Sequence, residues 1–143
     1  MNTSEFNECI IGRSQLLFLI EDEDGEIFGY YLNTKIEPKY NEIISTNSQS
    51  FLFNLQSNGR LEKPLKFEWT DIHFGWYKLF DSSNYRLISL CEINLMKEEE
   101  HSDSFCSQTE NWINYENIPK ALCGKTDPNT FLPHHFFLIH LSF

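Results

Sequence analysis

The sequence lacks valine, has one alanine (Ala121) and contains no long apolar run. It is rich instead in large side chains, with 13 phenylalanines, 6 tyrosines and 3 tryptophans among 143 residues. Side chains of this kind suit strands that pack through bulky residues better than helices that pack on small ones. No stretch approaches the roughly 18 apolar residues of a membrane-spanning helix. The composition therefore favours one β-rich domain with an aromatic core.

Positive charge is also scarce. The chain has 11 Lys and Arg residues against 21 Asp and Glu residues, which gives a formal net charge of −10. Affinity for nucleic acid depends on cations that neutralise phosphates, and anionic membrane surfaces attract basic segments. The charge therefore excludes general binding to nucleic acids and argues against binding to an anionic membrane.

Paired cysteines are missing as well. The four cysteines, Cys9, Cys91, Cys106 and Cys123, lie far apart and form no C-x2-C pair. The opening residues MNTSEFNE have neither the basic nor the apolar region of a signal peptide. We therefore expect a cytoplasmic or nuclear protein with reduced thiols and no structural zinc site.

Short apolar segments separated by turn residues predict seven to eight strands and little helix. Asp24-Gly25 is typical of a tight hairpin turn, because glycine adopts the positive φ that such a turn requires. This turn separates strands predicted over 15–21 and 26–32. Further strands are predicted over 51–55, 65–69, 74–80, 85–95 and 136–143, with loops over 33–49 and 97–104 and a short helix within 113–123.

The pattern predicts a mainly β fold (α+β at the margins), an antiparallel two-sheet β-sandwich with one or two short helices. Residues 1–13 are polar and are expected to form a loose N-terminal lead-in to a single domain over 14–143. The closing segment FFLIHLSF is strongly apolar, so we expect it inside a sheet and not at an exposed edge.

The acidic stretch EDEDGEIFGY resembles a calcium-binding loop in part. With Gly25 at loop position six, Ile20 and Tyr31 occupy positions one and twelve, where calcium requires carboxylates. A solvated hairpin tip is therefore favoured. His134 and His135 are adjacent and point to opposite faces of a strand, so they predict no metal site either. We expect no metal and no cofactor.

No catalytic constellation stands out. No motif that carries a nucleophile surrounds a cysteine, and Gly124-Lys125-Thr126 lacks the glycine-rich loop of a phosphate-binding motif. Strand carboxylates could face one another for acid–base chemistry, although solvent-facing positions are favoured. The candidates retained are the carboxylates Glu21, Glu68 and Glu92 and, as an oxidisable thiol, Cys106.

Four stretches, taken in order, resemble the TLDc domain of the oxidation-resistance and nuclear-receptor-coactivator-type proteins of eukaryotes. LLFLIEDEDGEIFGYYL is similar to the family's opening hairpin, and SFLFNL followed by KFEWT is similar to its S-F-L-F-x-L strand and the segment after it. The segment 90–108, which contains Cys106, is similar to the family's S-x-x-C-x-T segment, and FFLIHLSF to its closing strand. The chain resembles a short, divergent member, because Asp81 to Arg86 stand where the family has a glycine-rich run.

The resemblance implies a two-sheet β-sandwich with short helices at its edge. The family is associated with protection against oxidative stress, and several members bind the vacuolar proton pump. No catalytic residues carry over from it. The resemblance therefore implies a non-enzymatic protein-interaction domain, with vacuolar proton pump subunits as partners. The alternative, an enzyme or redox-active protein that handles peroxide or a small molecule, rests on Cys106 and the strand carboxylates.

Overall fold

The computed structural model describes residues 3–46, 49–57, 63–67, 75–91, 93–97, 104–106 and 130–141. The chain begins with a helix, α1, and continues almost entirely in strands. The elements are α1 (Thr3–Ile10), β1 (Leu16–Asp22), β2 (Ile27–Leu32), β3 (Ile43–Ser45), β4 (Phe51–Gln56), β5 (Leu65–Phe67), β6 (Trp76–Leu79), β7 (Arg86–Leu90), β8 (Ile93–Met96), β9 (Ser104–Cys106), β10 (Thr130–Phe131) and β11 (Pro133–His140).

The strands form two antiparallel sheets, which confirms the mainly β, two-sheet fold. One sheet has the order β11-β1-β2-β4-β5, and the other has the order β10-β9-β8-β7-β6-β3. The hairpin predicted at Asp24-Gly25 is present, with Gly25 at a φ of 81° between β1 and β2. The helix expected within 113–123 lies outside the described residues.

The core lies between the two sheets and is built from large side chains. Burial alternates along β1, because successive residues of a strand point to opposite faces. Tyr30 and Leu52 of the five-stranded sheet belong to the same buried cluster as Tyr77 and Ile88 of the six-stranded sheet. The aromatic excess of the sequence is thus placed in part in this core, where each large ring removes much apolar surface from water.

Helix α1 corrects the expectation of a loose lead-in over residues 1–13. Phe6 and Ile10 are buried in the core, and Thr3 and Asn7 complete the same helical face. The side-chain amide of Asn7 donates a hydrogen bond of 3.0 Å to the backbone carbonyl oxygen of Phe80. Two of the four buried positions are polar, so a count of apolar residues did not reveal the face.

The segment predicted as one strand over 85–95 is a hairpin. Leu90 and Ile93 are register partners, so the chain reverses between β7 and β8. Cys91 adopts a φ of 53° at this reversal, and its amide bonds the carbonyl oxygen of Trp76 at 2.8 Å. The turn carries none of the glycine or asparagine signals that predict tight reversals, so the alternating sequence resembled one long strand.

The expectation that the closing strand lies inside a sheet is also wrong for the described strands. β11 is the first strand of the five-stranded sheet and pairs there with β1. Phe136 and Leu138 pack against the core, whereas Phe137 and Ile139 are 48% and 40% exposed. Among the strands that the structure describes, an apolar strand therefore forms an edge of the sheet.

Candidate interaction surface

Of the four predicted site residues, the structure describes Glu21 and the backbone of Cys106. Glu68 and Glu92 lie outside the described residues. The backbone of Cys106 ends β9 opposite Ile93 of the six-stranded sheet, whereas Glu21 lies on β1 of the other sheet. A pocket that combines these carboxylates with a thiol therefore stays a prediction.

Glu21 contacts the edge strand. It is the register partner of His135, and its Oε1 lies 3.4 Å from Nδ1 of that residue. The imidazole stacks on the ring of Phe137, with 5.9 Å between the ring centroids. The pair becomes an ion pair when His135 is protonated, so Glu21 is part of a polar surface contact between β1 and β11.

Asp22 organises the turn of the acidic hairpin tip. Its side chain is buried, and Oδ1 accepts hydrogen bonds from the amides of Asp24 and Glu26 at 2.9 and 3.0 Å. Gly25 donates its amide to the carbonyl oxygen of Asp22 at 3.1 Å. This carboxylate therefore satisfies the backbone of the turn, which is a common structural role for aspartate.

Glu26 is also held inside the protein. It is buried directly before β2, and its Oε2 accepts a hydrogen bond of 3.3 Å from the side-chain amide of Asn54 on β4. Among the residues that the structure describes, no three His, Cys, Asp or Glu side chains lie close enough to hold a metal ion. The acidic residues at this end of the sheet thus connect β1, β2 and β4.

The two cysteines with described side chains differ in access. Cys9 is exposed on α1, and Cys91 is buried at the turn between β7 and β8. The amide of Trp76 donates to Sγ of Cys91, and the thiol donates to the carbonyl oxygen of Trp76, both at 3.2 Å. Cys91 therefore connects the β7–β8 turn to the start of β6 and is shielded from reagents in water.

Tyr30 carries a polar group into the core. Its hydroxyl lies 2.9 Å from Oγ1 of Thr46, so the buried oxygen has a partner. Burial, and to a lesser extent the neighbouring Cys91, raises the pKa of Tyr30 far above its usual range. The phenol therefore stays neutral and acts as a structural hydrogen-bonding group.

The outer face of the five-stranded sheet is apolar across four adjacent strands. In one row, Leu17 lies between Ile139 and Tyr31, and Tyr31 is the partner of Phe51. In the next row, Phe137, Leu19, Gly29 and Phe53 follow one another in the same strand order. We call this the outer sheet face, and its side chains are those of Leu17, Leu19, Tyr31, Phe51, Phe53, Phe137 and Ile139.

Aromatic contacts make this face continuous. The rings of Tyr31 and Phe51 lie 5.3 Å apart, and those of Phe51 and Phe53 lie 6.2 Å apart. The ammonium group of Lys66 sits 4.5 Å from the centre of the Phe51 ring. Antiparallel sheets that face water usually expose polar side chains on their outer face, so an apolar patch of this composition is unusual for such a sheet.

Gly29 lies in the middle of the outer sheet face, where the missing side chain leaves space for a neighbouring ring. A Cβ atom at this position would overlap the carbonyl oxygen of Phe18 and lie 3.0 Å from Cζ of Phe53. Phe53 fills the space that the missing side chain leaves and is only 5% exposed. The glycine is therefore required for the close approach of β1 and β2 and for the position of this ring.

Sequence reasoning did not predict the outer sheet face, although it held a signal. The run Leu16 to Ile20 is apolar at every position, whereas a strand with one solvated face alternates. A continuous run indicates a strand with apolar surface on both sides. Leu17 and Leu19 were predicted as parts of a strand, without a prediction of what their face contacts.

Comparisons with known proteins agree with the resemblance drawn from the residues. Within the described residues, no helix is long and apolar enough to cross a membrane. No curated protein matches the chain. The model of the TLDc domain family matches residues 1–89, a range that includes α1, the β1–β2 hairpin and much of the outer sheet face. The chain therefore belongs to the TLDc domain family.

Proposed function

We propose that this chain is a non-enzymatic protein-interaction domain and that its partner binds the outer sheet face. The observation that carries the proposal is the continuity of apolar side chains over four strands in register. Phe137 and Ile139 are among the most exposed large apolar residues of the described chain, and Leu17, Leu19 and Tyr31 are half-buried beside them. An apolar patch of this extent on a sheet marks a site of protein association.

Charge indicates the chemistry of the partner. The chain has a formal net charge of −10, and Glu21 and the acidic tip with Glu23 and Asp24 border the outer sheet face. A partner with an apolar centre and a basic rim would be attracted over a distance and would then bury the aromatic rings. We therefore expect association to slow as ionic strength rises, because salt screens exposed charges.

The family supports a more specific assignment. TLDc proteins are associated with protection against oxidative stress, and several bind the vacuolar proton pump. By this resemblance we propose that the domain acts in the cytoplasm in oxidative-stress protection, with vacuolar proton pump subunits as partners. Direct titration of the purified chain with purified pump subunits tests the partner, and absence of binding at about 100 µM would exclude it.

A pair of matched variants tests the surface. Leu19→Glu places a charge in the middle of the outer sheet face, and Ile43→Glu places the same charge on β3, where Ile43 is 59% exposed. In quantitative affinity capture from lysate, we expect Leu19→Glu to lose at least about ten-fold of the bound partner and Ile43→Glu to retain it. Equal capture by both variants, or no reproducible partner of the native chain, would contradict the proposal.

The alternative function, a redox-active protein that handles peroxide, is tested by a separate measurement. It predicts that Cys106 forms a sulfenic acid or a disulfide at modest peroxide concentration, which mass spectrometry of the intact protein detects. The interaction proposal requires no such reaction. Oxidation of Cys106 that precedes oxidation of the exposed Cys9 would favour the redox-active protein.

A further inference from the structure

We propose that β11 pairs with β11 of a second copy of this chain, antiparallel across a two-fold axis, so that two five-stranded sheets join into one. The inference uses the backbone edge of β11 and does not depend on the proposed function. It starts from a mismatch between the sequence of this strand and its position in the fold.

The side chains of β11 are those of an interior strand. Residues 136 to 139 read Phe-Phe-Leu-Ile, with Phe136 and Leu138 packed against the core and Phe137 and Ile139 on the outer sheet face. Edge strands usually carry charges that discourage pairing, but no Asp, Glu, Lys or Arg occurs between Pro133 and His140. Among the described strands, β11 has β1 as its neighbour on one side. A second neighbour would give the strand the position that its composition predicts.

The backbone of β11 offers hydrogen-bonding groups in the right phase. The backbone amide of Leu141 donates a hydrogen bond of 2.9 Å to the carbonyl oxygen of Gln15. This bond determines which residues of β11 form hydrogen-bonded pairs with β1 and which form the non-hydrogen-bonded pairs between them. Odd-numbered residues of β11 therefore direct their amides and carbonyls toward β1. The even-numbered residues Phe136 and Leu138 direct theirs to the side away from β1, where no other described strand lies and an antiparallel neighbour can bind them.

The regular part of β11 is self-complementary. The β1–β11 register is continuous from His135 to His140 and shifts only between Glu21 and Asp22. Pairing centred on Phe137 places this residue opposite Phe137 of the other copy and Phe136 opposite Leu138 of the other copy. The central pair is of the non-hydrogen-bonded type, in which facing side chains lie closest, and the flanking pairs supply the backbone hydrogen bonds.

The two-fold arrangement also separates the acidic tips. The tip lies at the Pro133 end of β11, because the amide of Glu23 bonds the carbonyl oxygen of Leu132 at 3.0 Å. Antiparallel pairing puts the two tips at opposite ends of the new strand pair, roughly 30 Å apart. That distance exceeds the Debye length of about 8 Å at physiological salt, so repulsion between the tips is screened.

The edge is short, so the dimer is expected to depend on concentration. One strand pair buries less than the roughly 1,200 Å² of a standard interface. Sedimentation velocity of the purified chain is therefore to be measured over about two decades of concentration around 100 µM. We expect the mass to rise from 17.0 kDa toward twice that value. A chain that stays at the monomer mass throughout would overturn the proposal and would leave capture of another partner unaffected.

A matched pair of variants localises the association. Phe137 on β11 and Leu55 on β4 are both 48% exposed. We expect Phe137→Lys to remain monomeric over the whole range and Leu55→Lys to dimerise as the native chain does. Ile139→Lys serves as a second edge variant if Phe137→Lys fails to fold. Pairing through β11 would be overturned if a folded edge variant still dimerised. It would also be overturned if Leu55→Lys were monomeric while the edge variants dimerised.

A cross-link tests the register. In a Cys9→Ser background, Phe137→Cys brings two thiols together across the two-fold axis, within the distance range that a disulfide spans. Mild oxidation is expected to convert this variant to a covalent dimer, while the Cys9→Ser parent stays monomeric on a denaturing gel. A covalent dimer that is no more abundant in the variant than in the parent would overturn this pairing.

Discussion

The ring of Phe53 lies against Gly29 on the outer sheet face, where a Cβ atom would approach Cζ of the ring to 3.0 Å. The same atom would overlap the backbone carbonyl oxygen of Phe18. This relationship links the close approach of β1 and β2 to the shape of the surface that we propose as the binding site.

Gly29→Ala is expected to destabilise the protein by about 1–3 kcal/mol, because the strands must move apart or the backbone must distort. Chemical denaturation measures the loss. Leu55→Ala, at an exposed position of β4, is the control and is expected to change the free energy of unfolding by less than about 0.5 kcal/mol. An unaltered free energy in Gly29→Ala would contradict the close packing of β1 on β2.

Asp22→Ala is expected to destabilise the β1–β2 hairpin by about 1–3 kcal/mol, since two amides of the turn lose their acceptor. Asp22→Asn retains a side-chain oxygen that can accept these bonds and is expected to lose less. Thermal unfolding compares the two variants. Equal loss in both would show that the charge, and not the turn geometry, is what the fold requires.

The thiols are expected to differ in reactivity. In the native protein, an alkylating reagent should modify the exposed Cys9 at least about 100-fold faster than the buried Cys91. Peptide mass spectrometry at successive times measures both rates, and Cys9→Ser identifies the fast phase. Comparable rates would mean that the β7–β8 hairpin opens readily.

Stability is expected to fall at alkaline pH, in part through Tyr30. Burial raises its pKa above the unfolded value of 10.0, so the folded state holds the proton that the unfolded state releases. The contribution is complete below pH 10 and is lost as pH rises above it. Tyr77, whose pKa burial also raises, acts in the same direction.

Tyr30→Phe should therefore show a shallower decline of unfolding free energy above pH 10, together with a loss of about 1 kcal/mol at neutral pH from the bond to Thr46. Denaturation curves at a series of pH values test both effects. A decline as steep as that of the native chain would assign the alkaline loss to other groups.

The sequence predicted those parts of the fold that depend on local signals. Asp24-Gly25 marked the first turn because glycine there has a positive φ, and the alternation of burial in β1 followed from its strand geometry. The reversal at Cys91 could not be predicted from the sequence, because a non-glycine residue adopts the positive φ and is held in it by contacts with Trp76. Such contacts belong to the tertiary fold and leave no local pattern.

The outer sheet face could not be predicted from the sequence for a similar reason. Leu17 and Leu19 indicated a strand with apolar surface on both sides, but their rows with Tyr31 and Phe137 depend on strand order and register. The edge position of β11 likewise follows from sheet topology, which its apolar composition alone predicted wrongly. Periodicity identified several of the strands, but the loop predicted over 33–49 contains β3 and the strand predicted over 85–95 is the β7–β8 hairpin. The arrangement of the strands required the structure.

The most direct test of the central claim is site-specific photo-crosslinking. A benzophenone amino acid is placed at Tyr31, within the outer sheet face, and in a second variant at Ile43, which is exposed on the other sheet. After irradiation with the captured partner, we predict a cross-linked product from position 31 and none from position 43. Cross-linking from position 43 alone, or equally from both, would contradict binding through the outer sheet face.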